Sequence, residues 1–143
     1  LEYLHPSDFS GLIHRRPISS HKGDFGHILV LAGSANYTGA GALCALGALR
    51  SGCGLVTLGI PRSLQGIYQQ KFLEVMTLPL PETEDLTLSQ EAFPEIEKFI
   101  EKVDCIALGP GLGSHPDTIK LIKNVISSSL KPLVVDADAI NAI

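Results

Sequence analysis

Residues 27–32, HILVLA, form a nearly unbroken apolar run with Gly26 before it and Gly33 after it. That pattern suits a strand buried on both faces, the situation of a strand inside a parallel sheet. The pattern recurs at Leu55 to Ile60, stopped by Pro61; at Val103 to Leu108, ended by Gly109-Pro110-Gly111; and at Pro132 to Val135, ending on Asp136. Helical segments lie between these runs. Gly39 to Ser51 is small and rich in Ala and Leu, a buried helix ended by Gly52 and Gly54. Gln90 to Lys102 has helical spacing through Phe93, Ile96, Phe99 and Ile100, and His115 to Ser129 is amphipathic through Ile119, Leu121, Ile122, Val125 and Ile126. Ser63 to Lys71 also suits a helix, Glu74 to Leu80 reads as an extended piece, and Pro79 to Ser89 as an acidic, turn-rich surface connection. Strands alternate with helices four times, which predicts an α/β, Rossmann-like fold: a mostly parallel sheet with helices on both faces. Residues 1–26, punctuated by Pro6, Gly11, Pro17, Gly23 and Gly26, read as an irregular lead-in with one helical turn after Ser7, capped by the Ser-Asp pair.

Composition narrows the function classes. The 143 residues are 45% apolar and 18% charged, enough to bury the core of one domain. The net charge of −4 lacks the basic excess of a nucleic-acid-binding surface. The most apolar stretch, Ala40 to Leu49, is followed by Arg50 and falls short of the roughly 20 residues a membrane span needs. Glu2, His5 and Asp8 rule out a signal peptide at the start. Cys44, Cys53 and Cys105 are odd in number and widely spaced, neither a disulfide framework nor a zinc site. They read as small core residues, and a reducing cytosol fits. The run Ala137 to Ile143 is helix-compatible and largely apolar, so a piece of a longer protein is expected.

Ligands in such sheets bind beyond the carboxyl ends of the strands, which singles out three loops. Residues 33–41, GSANYTGAG, can bring backbone close to a ligand and offer helix N–H groups to an anion. They match neither a Walker A motif nor GxGxxG, so a tight strand-to-helix turn and a phosphate or nucleotide cradle both remain open. Tyr37 in this loop can stack on a base or join the core. Residues 109–114, GPGLGS, hold more glycines than a turn needs, and read as a ligand-contacting loop or as a turn with Ser114 as helix cap. Asp136 and Asp138 could share a side and serve a hydrated Mg²⁺ or a hydroxyl, or one of them could cap the next helix. In a fourth segment, HKGDFGH at 21–27, Lys22 could reach a phosphate, although the segment precedes its strand. His5, His14 and His115 show no partner pattern and read as surface residues.

In order along the chain, HKGDFGHILVLAGSANYTGAGALCALGALRSGCGLVTLGIP (21–61), EVMTLPLP (74–81), ALGPGLG (107–113) and PLVVDADAIN (132–141) resemble the NAD(P)H-hydrate dehydratase family, a branch of the ribokinase-like fold. The lead-in HRRPISSHKGDFGH is similar to family members fused behind an epimerase domain. The resemblance implies a cytoplasmic repair enzyme, a lyase that uses ADP or ATP, with Mg²⁺, to dehydrate hydrated NADH or NADPH. It carries over Ala40 and Gly111 as positions bordering the hydrated dinucleotide, with Gly39, Gly113 and Tyr37 beside them. Lys22, Asp136 and Asp138 fall near the site. It also implies a homo-oligomer with NAD(P)H hydrate and adenine nucleotide as its small-molecule partners. After the DAD segment the family carries a TPH-type segment, a Lys-Gly segment and a GTGD motif whose Asp is the catalytic base. None of these lies within residues 1–143, so the base is expected beyond Ile143. On this resemblance residues 27–143 are the N-terminal part of the dehydratase domain, and no catalytic residue is assigned within them. Two other readings stay open: a small-molecule hydroxymethyl kinase of the same fold, and a non-enzymatic nucleotide-binding module.

Overall fold

A computed structural model of the chain describes residues 5–9 and 15–143. Five strands make one sheet: β1 (His27–Leu31), β2 (Leu55–Pro61), β3 (Met76–Leu80), β4 (Cys105–Leu108) and β5 (Leu133–Val135). Their spatial order is β3-β2-β1-β4-β5, and every pairing is parallel. The helices are α1 (Thr38–Arg50), α2 (Gln65–Lys71), α3 (Phe93–Ile100), α4 (Pro116–Ser128) and α5 (Asp138–Asn141). Among the described residues no helix is long and apolar enough to cross a membrane.

The strand order explains the layers. From β1 the sheet grows one way through β2 to β3, and the chain then returns to add β4 and β5 on the other side. Crossovers of one hand place their helices on one face during the first growth and on the opposite face during the second. Helices α1 and α2 accordingly pack on Val30, Val56, Leu58 and Ile60 through Ala42, Ala45 and Tyr68. Helices α3, α4 and α5 pack on Leu29, Leu31, Ile106 and Leu108 through Ile96, Leu121, Ile122, Val125 and Ala139. Successive side chains of a strand point to opposite faces. The central strand β1 is therefore apolar from Ile28 to Leu31, with only His27 at its start polar. Each aliphatic side chain so buried contributes about 1.5–3 kcal/mol.

Several elements differ from the sequence reading. The extended piece at Glu74 to Leu80 is a fifth strand, β3, which pairs Pro79 opposite Ile60. Proline is tolerated there because β3 is a sheet edge. The helix expected at 90–102 opens as a 3-10 turn, Gln90–Ala92, capped by Ser89, whose hydroxyl accepts from the Glu91 N–H at 3.2 Å. The turn after Ser7 spans Pro6–Phe9, and Asp8 accepts from the His5 N–H at 2.8 Å. His5 is exposed, while Gly11 and His14 lie outside the described residues. The three cysteines are free and half-buried, with Cys44 and Cys53 packed against the core on the α1 and α2 side. Burial, and then the charge of Asp136, push the Cys44 thiol pKa up.

Candidate functional site

The strand order reverses between β1 and β4, so the loops leaving these two strands diverge and open a crevice at their carboxyl ends. These are the loops at 33–41 and 109–114. Two hydrogen bonds stitch them together: the Gly33 N–H donates to the Pro110 carbonyl at 2.8 Å, and the Gly109 N–H to the Leu31 carbonyl at 3.1 Å. Gly111 has a φ of +69°, and a Cβ on it would lie 2.7 Å from the Tyr37 Cβ and 2.8 Å from the Ala40 Cβ. Ala40 and Gly111 are therefore neighbours, and only glycine permits the approach. Gly39, beside Ala40, is exposed, with open space where a side chain would be. Helix α1 starts without a side-chain cap and with no acidic residue in its first turn. It follows directly on the 3-10 turn Ala35–Tyr37, and its positive dipole end favours an anion.

A third segment completes the crevice. The connection at 81–89 folds over the first loop, with the Ala35 N–H donating to the Leu86 carbonyl at 3.2 Å. A chain of buried hydroxyls fixes it to α4. Thr118 donates to the Leu88 carbonyl at 2.7 Å, Thr118 and Thr87 share a hydrogen bond of 2.8 Å, and so do Thr87 and Thr83. Because Thr118 spends its proton on the carbonyl, Thr87 must donate to Thr118 and Thr83 to Thr87. Between the connection and the two loops lies a cleft of about 410 Å³, lined by Ser34, Ala35, Asn36, Tyr37, Asp85, Thr87, Gly113, Ser114 and His115. Tyr37 stands at its rim with 56% of its surface exposed, so it belongs to the cleft rather than the core.

The model of the NAD(P)H-hydrate dehydratase family matches residues 28–143, which takes in both glycine loops, the connection and the DAD segment. The chain belongs to the NAD(P)H-hydrate dehydratase family. It is 45% identical over 129 residues to the bifunctional NAD(P)H-hydrate repair enzyme Nnr of Moorella thermoacetica, a match covering 90% of this chain and 24% of that protein. The Nnr of Dictyoglomus turgidum is 37% identical over 123 residues, 85% of this chain and 24% of that one. Among solved structures, a ribokinase-like superfamily protein of Enterococcus faecalis superposes with a TM-score of 0.76 at 26% identity, covering 91% of this chain and 43% of that one. The ADP/ATP-dependent NAD(P)H-hydrate dehydratase of Bacillus subtilis, co-crystallised with ATP and Mg²⁺, superposes at 0.67 with 26% identity, covering 89% and 42%. The chain thus spans about a quarter of the length of these curated relatives. The fold is the ribokinase-like α/β fold that the sequence predicts.

Within this family member, the DAD segment behaves differently from the sequence expectation. The strand ends at Val135, and Ala137 turns with a φ of +48°, so Asp136 and Asp138 do not share a side. Asp138 accepts from the Gly113 N–H at 2.8 Å and ties the segment to the second glycine loop. The charge of Asp136 reaches Cys44 on α1 instead. Neither carboxylate caps α5, which has no side-chain cap. Among the described residues no group of three or more His, Cys, Asp or Glu could hold a metal ion; a Mg²⁺ carried on nucleotide phosphates needs only one or two carboxylates beside them. Lys22 sits in the 3-10 turn Lys22–Phe25 ahead of β1, at the opposite edge of the sheet from the cleft.

The sequence reading missed three participants. His115 is not a surface residue: its side chain is 17% exposed and lines the cleft. It, and not Ser114, caps α4, since its Nδ1 accepts from the Asp117 N–H at 3.2 Å. Asp85 and Thr87 belong to a segment whose acidic, turn-rich character signals only exposure. The partner of Thr87 is 31 residues away, beyond any local pattern. Beneath the first loop, the Tyr68 hydroxyl packs against Gly33 and Gly41 without a hydrogen-bond partner, and burial pushes its pKa up to about 12.

Proposed function

We propose that residues 27–143 form the N-terminal part of an NAD(P)H-hydrate dehydratase domain, with residues 1–26 as its lead-in. The whole protein would return hydrated NADH or NADPH to the active dinucleotide at the expense of ADP or ATP. Phosphorylating the added hydroxyl turns a poor leaving group into a good one, and elimination of phosphate then regenerates the dinucleotide. Phosphoryl transfer of this kind rests on positioning and charge stabilisation. The observation that carries the reading is the contact between Ala40 and Gly111 at the switch point, inside the stretch matched by the family. In this reading Ala40, Gly111, Gly39 and Gly113 border the dinucleotide, Tyr37 stacks on one of its rings, and the open N-terminus of α1 faces its phosphates. The B. subtilis dehydratase co-crystallised with ATP and Mg²⁺ supports an adenine nucleotide as co-substrate. The bifunctional relatives support a fused partner domain. A cytoplasmic homo-oligomer completes the proposal, and the catalytic base lies beyond Ile143.

Recovery of NADPH absorbance from hydrated NADPH plus ADP or ATP tests this. A protein extended to the length of its relatives is expected to restore NADPH, and residues 1–143 alone are not. Phosphorylated product without restored NADPH would replace the dehydratase with a kinase. Turnover by residues 1–143 alone would overturn the placement of the base.

A further inference from the structure

We infer that the cleft under the 81–89 connection is a ribose subsite, and that Asp85 in it discriminates against a 2′-phosphate, so that the chain favours the NADH-type over the NADPH-type dinucleotide. The inference rests on the proposed function, which supplies the dinucleotide. The first observation is Ser34. It is 2% exposed, it lines the cleft, and its hydroxyl caps nothing and has no partner among the described residues. An unpartnered hydroxyl on the wall of a cleft, on a residue otherwise buried, marks a place where a polar ligand group completes the hydrogen bonding. The second is Asp85, whose exposed carboxylate lines the same cleft and makes no hydrogen bond or ion pair among the described residues. The third is the charge of the lining, which includes no Lys or Arg.

His115 does not change that balance in its neutral form. Its Nδ1 is taken by the Asp117 N–H, which leaves the ring proton on Nε2, and Nε2 faces Glu84 at 3.6 Å. The cleft therefore offers hydroxyl and N–H donors and one free carboxylate acceptor, Asp85, together with the half-exposed ring of Tyr37 as a stacking surface. Its 410 Å³ falls in the range of small-molecule sites, about 300–1,000 Å³. A carboxylate accepts the two hydroxyls of a ribose diol, and dinucleotide sites use an acidic residue for a 2′-hydroxyl and a basic one for a 2′-phosphate. A phosphate placed against Asp85 would meet like charge with nothing to neutralise it. The pyrophosphate belongs outside this cleft, at the open N-terminus of α1.

Fluorescence titration of the chain with NADH and with NADPH, at low and at high salt, tests the inference. NADH is expected to bind about tenfold more tightly, equivalent to about 1.4 kcal/mol. The gap should narrow as salt screens the repulsion. Asp85→Asn should bring the ratio close to one by strengthening NADPH and weakening NADH, whereas a merely structural role would weaken both alike. Glu97→Gln, on the exposed side of α3, should leave the ratio unchanged. Equal affinities in the unaltered chain, or an unchanged ratio in Asp85→Asn, would overturn the inference and leave the proposed function standing. Binding of neither dinucleotide would overturn the inference together with the placement of the dinucleotide at Ala40 and Gly111.

Discussion

The two edges of the sheet are built from similar residues and end in different states. At the amino edge nearly every polar group is matched. The His27 N–H donates to Asp104 at 2.8 Å, its ring bonds Thr57 at 2.8 Å, and the Asp104 N–H returns a bond to the His27 carbonyl at 2.8 Å. Gly54 and Leu55 donate to Phe25 and Gly26 at 3.0 Å each, and the Gly54 backbone lies so close to the Lys22 carbonyl that a Cβ would overlap it. The carboxyl edge is matched just as closely between its loops, but its outward face is not. The Ser34 hydroxyl and the Asp85 carboxylate have no partners within the described residues. A saturated edge adds stability and has nothing left to offer a ligand. An edge that is rigid behind and unsatisfied in front is a binding surface.

The sharpest way to break this contrast is Gly109→Ala. Gly109 has a φ of +133°, and a Cβ there would overlap the Asp136 carbonyl. The substitution should cost about 3 kcal/mol in urea unfolding and abolish dinucleotide binding, because it separates the two loops. Thr118→Val comes next. It leaves the Leu88 carbonyl without its hydroxyl donor and the Thr87 proton without its acceptor, so a loss of about 1–3 kcal/mol is expected, with weaker dinucleotide binding as the 81–89 connection loosens. Binding unchanged in a destabilised Thr118→Val protein would show that the connection is not part of the site.

Two smaller effects sharpen the contrast. Burial lowers the His27 pKa below its ordinary value of 6.5, so the folded state resists a proton that the unfolded chain accepts. The stabilisation is whole above about pH 6.5 and is lost as the pH falls toward the folded-state pKa. His27→Gln should flatten that part of the stability profile, measured by urea unfolding between pH 7 and pH 5, without altering the NADH to NADPH ratio. Tyr68→Phe removes a buried hydroxyl that lacks a partner, and is expected to raise stability by up to about 1 kcal/mol. A loss instead would reveal a hydrogen bond from that hydroxyl to the turn above it.

The parts of the fold visible in the sequence are those whose physics is local. Strands β1, β2 and β4 announce themselves because a strand covered on both faces is apolar almost throughout, and glycine or proline bounds it; β5 reads the same way although its Val134 is exposed. The two glycine loops follow from a rule about strand ends. β3 was legible only as an extended piece, because pairing with β2, and not its own pattern, makes it a strand. His115 escaped notice because a histidine cap depends on ring geometry at a helix start rather than on a favoured residue type. Asp85 and Thr87 escaped because their segment is held in place by partners on a distant helix and a distant loop.

By itself, then, the sequence determined the layers, the family and the loops where a ligand would sit, since each follows from periodicity or from short strings. Only the tertiary structure decided that Ala40 touches Gly111, that Asp138 is taken by Gly113 while Asp136 turns away, and that an acidic connection closes over a cleft lined by no Lys or Arg. Such facts depend on which distant segments share a hydrogen bond, and that is settled when the strand order reverses and brings two separate crossovers to one edge of the sheet.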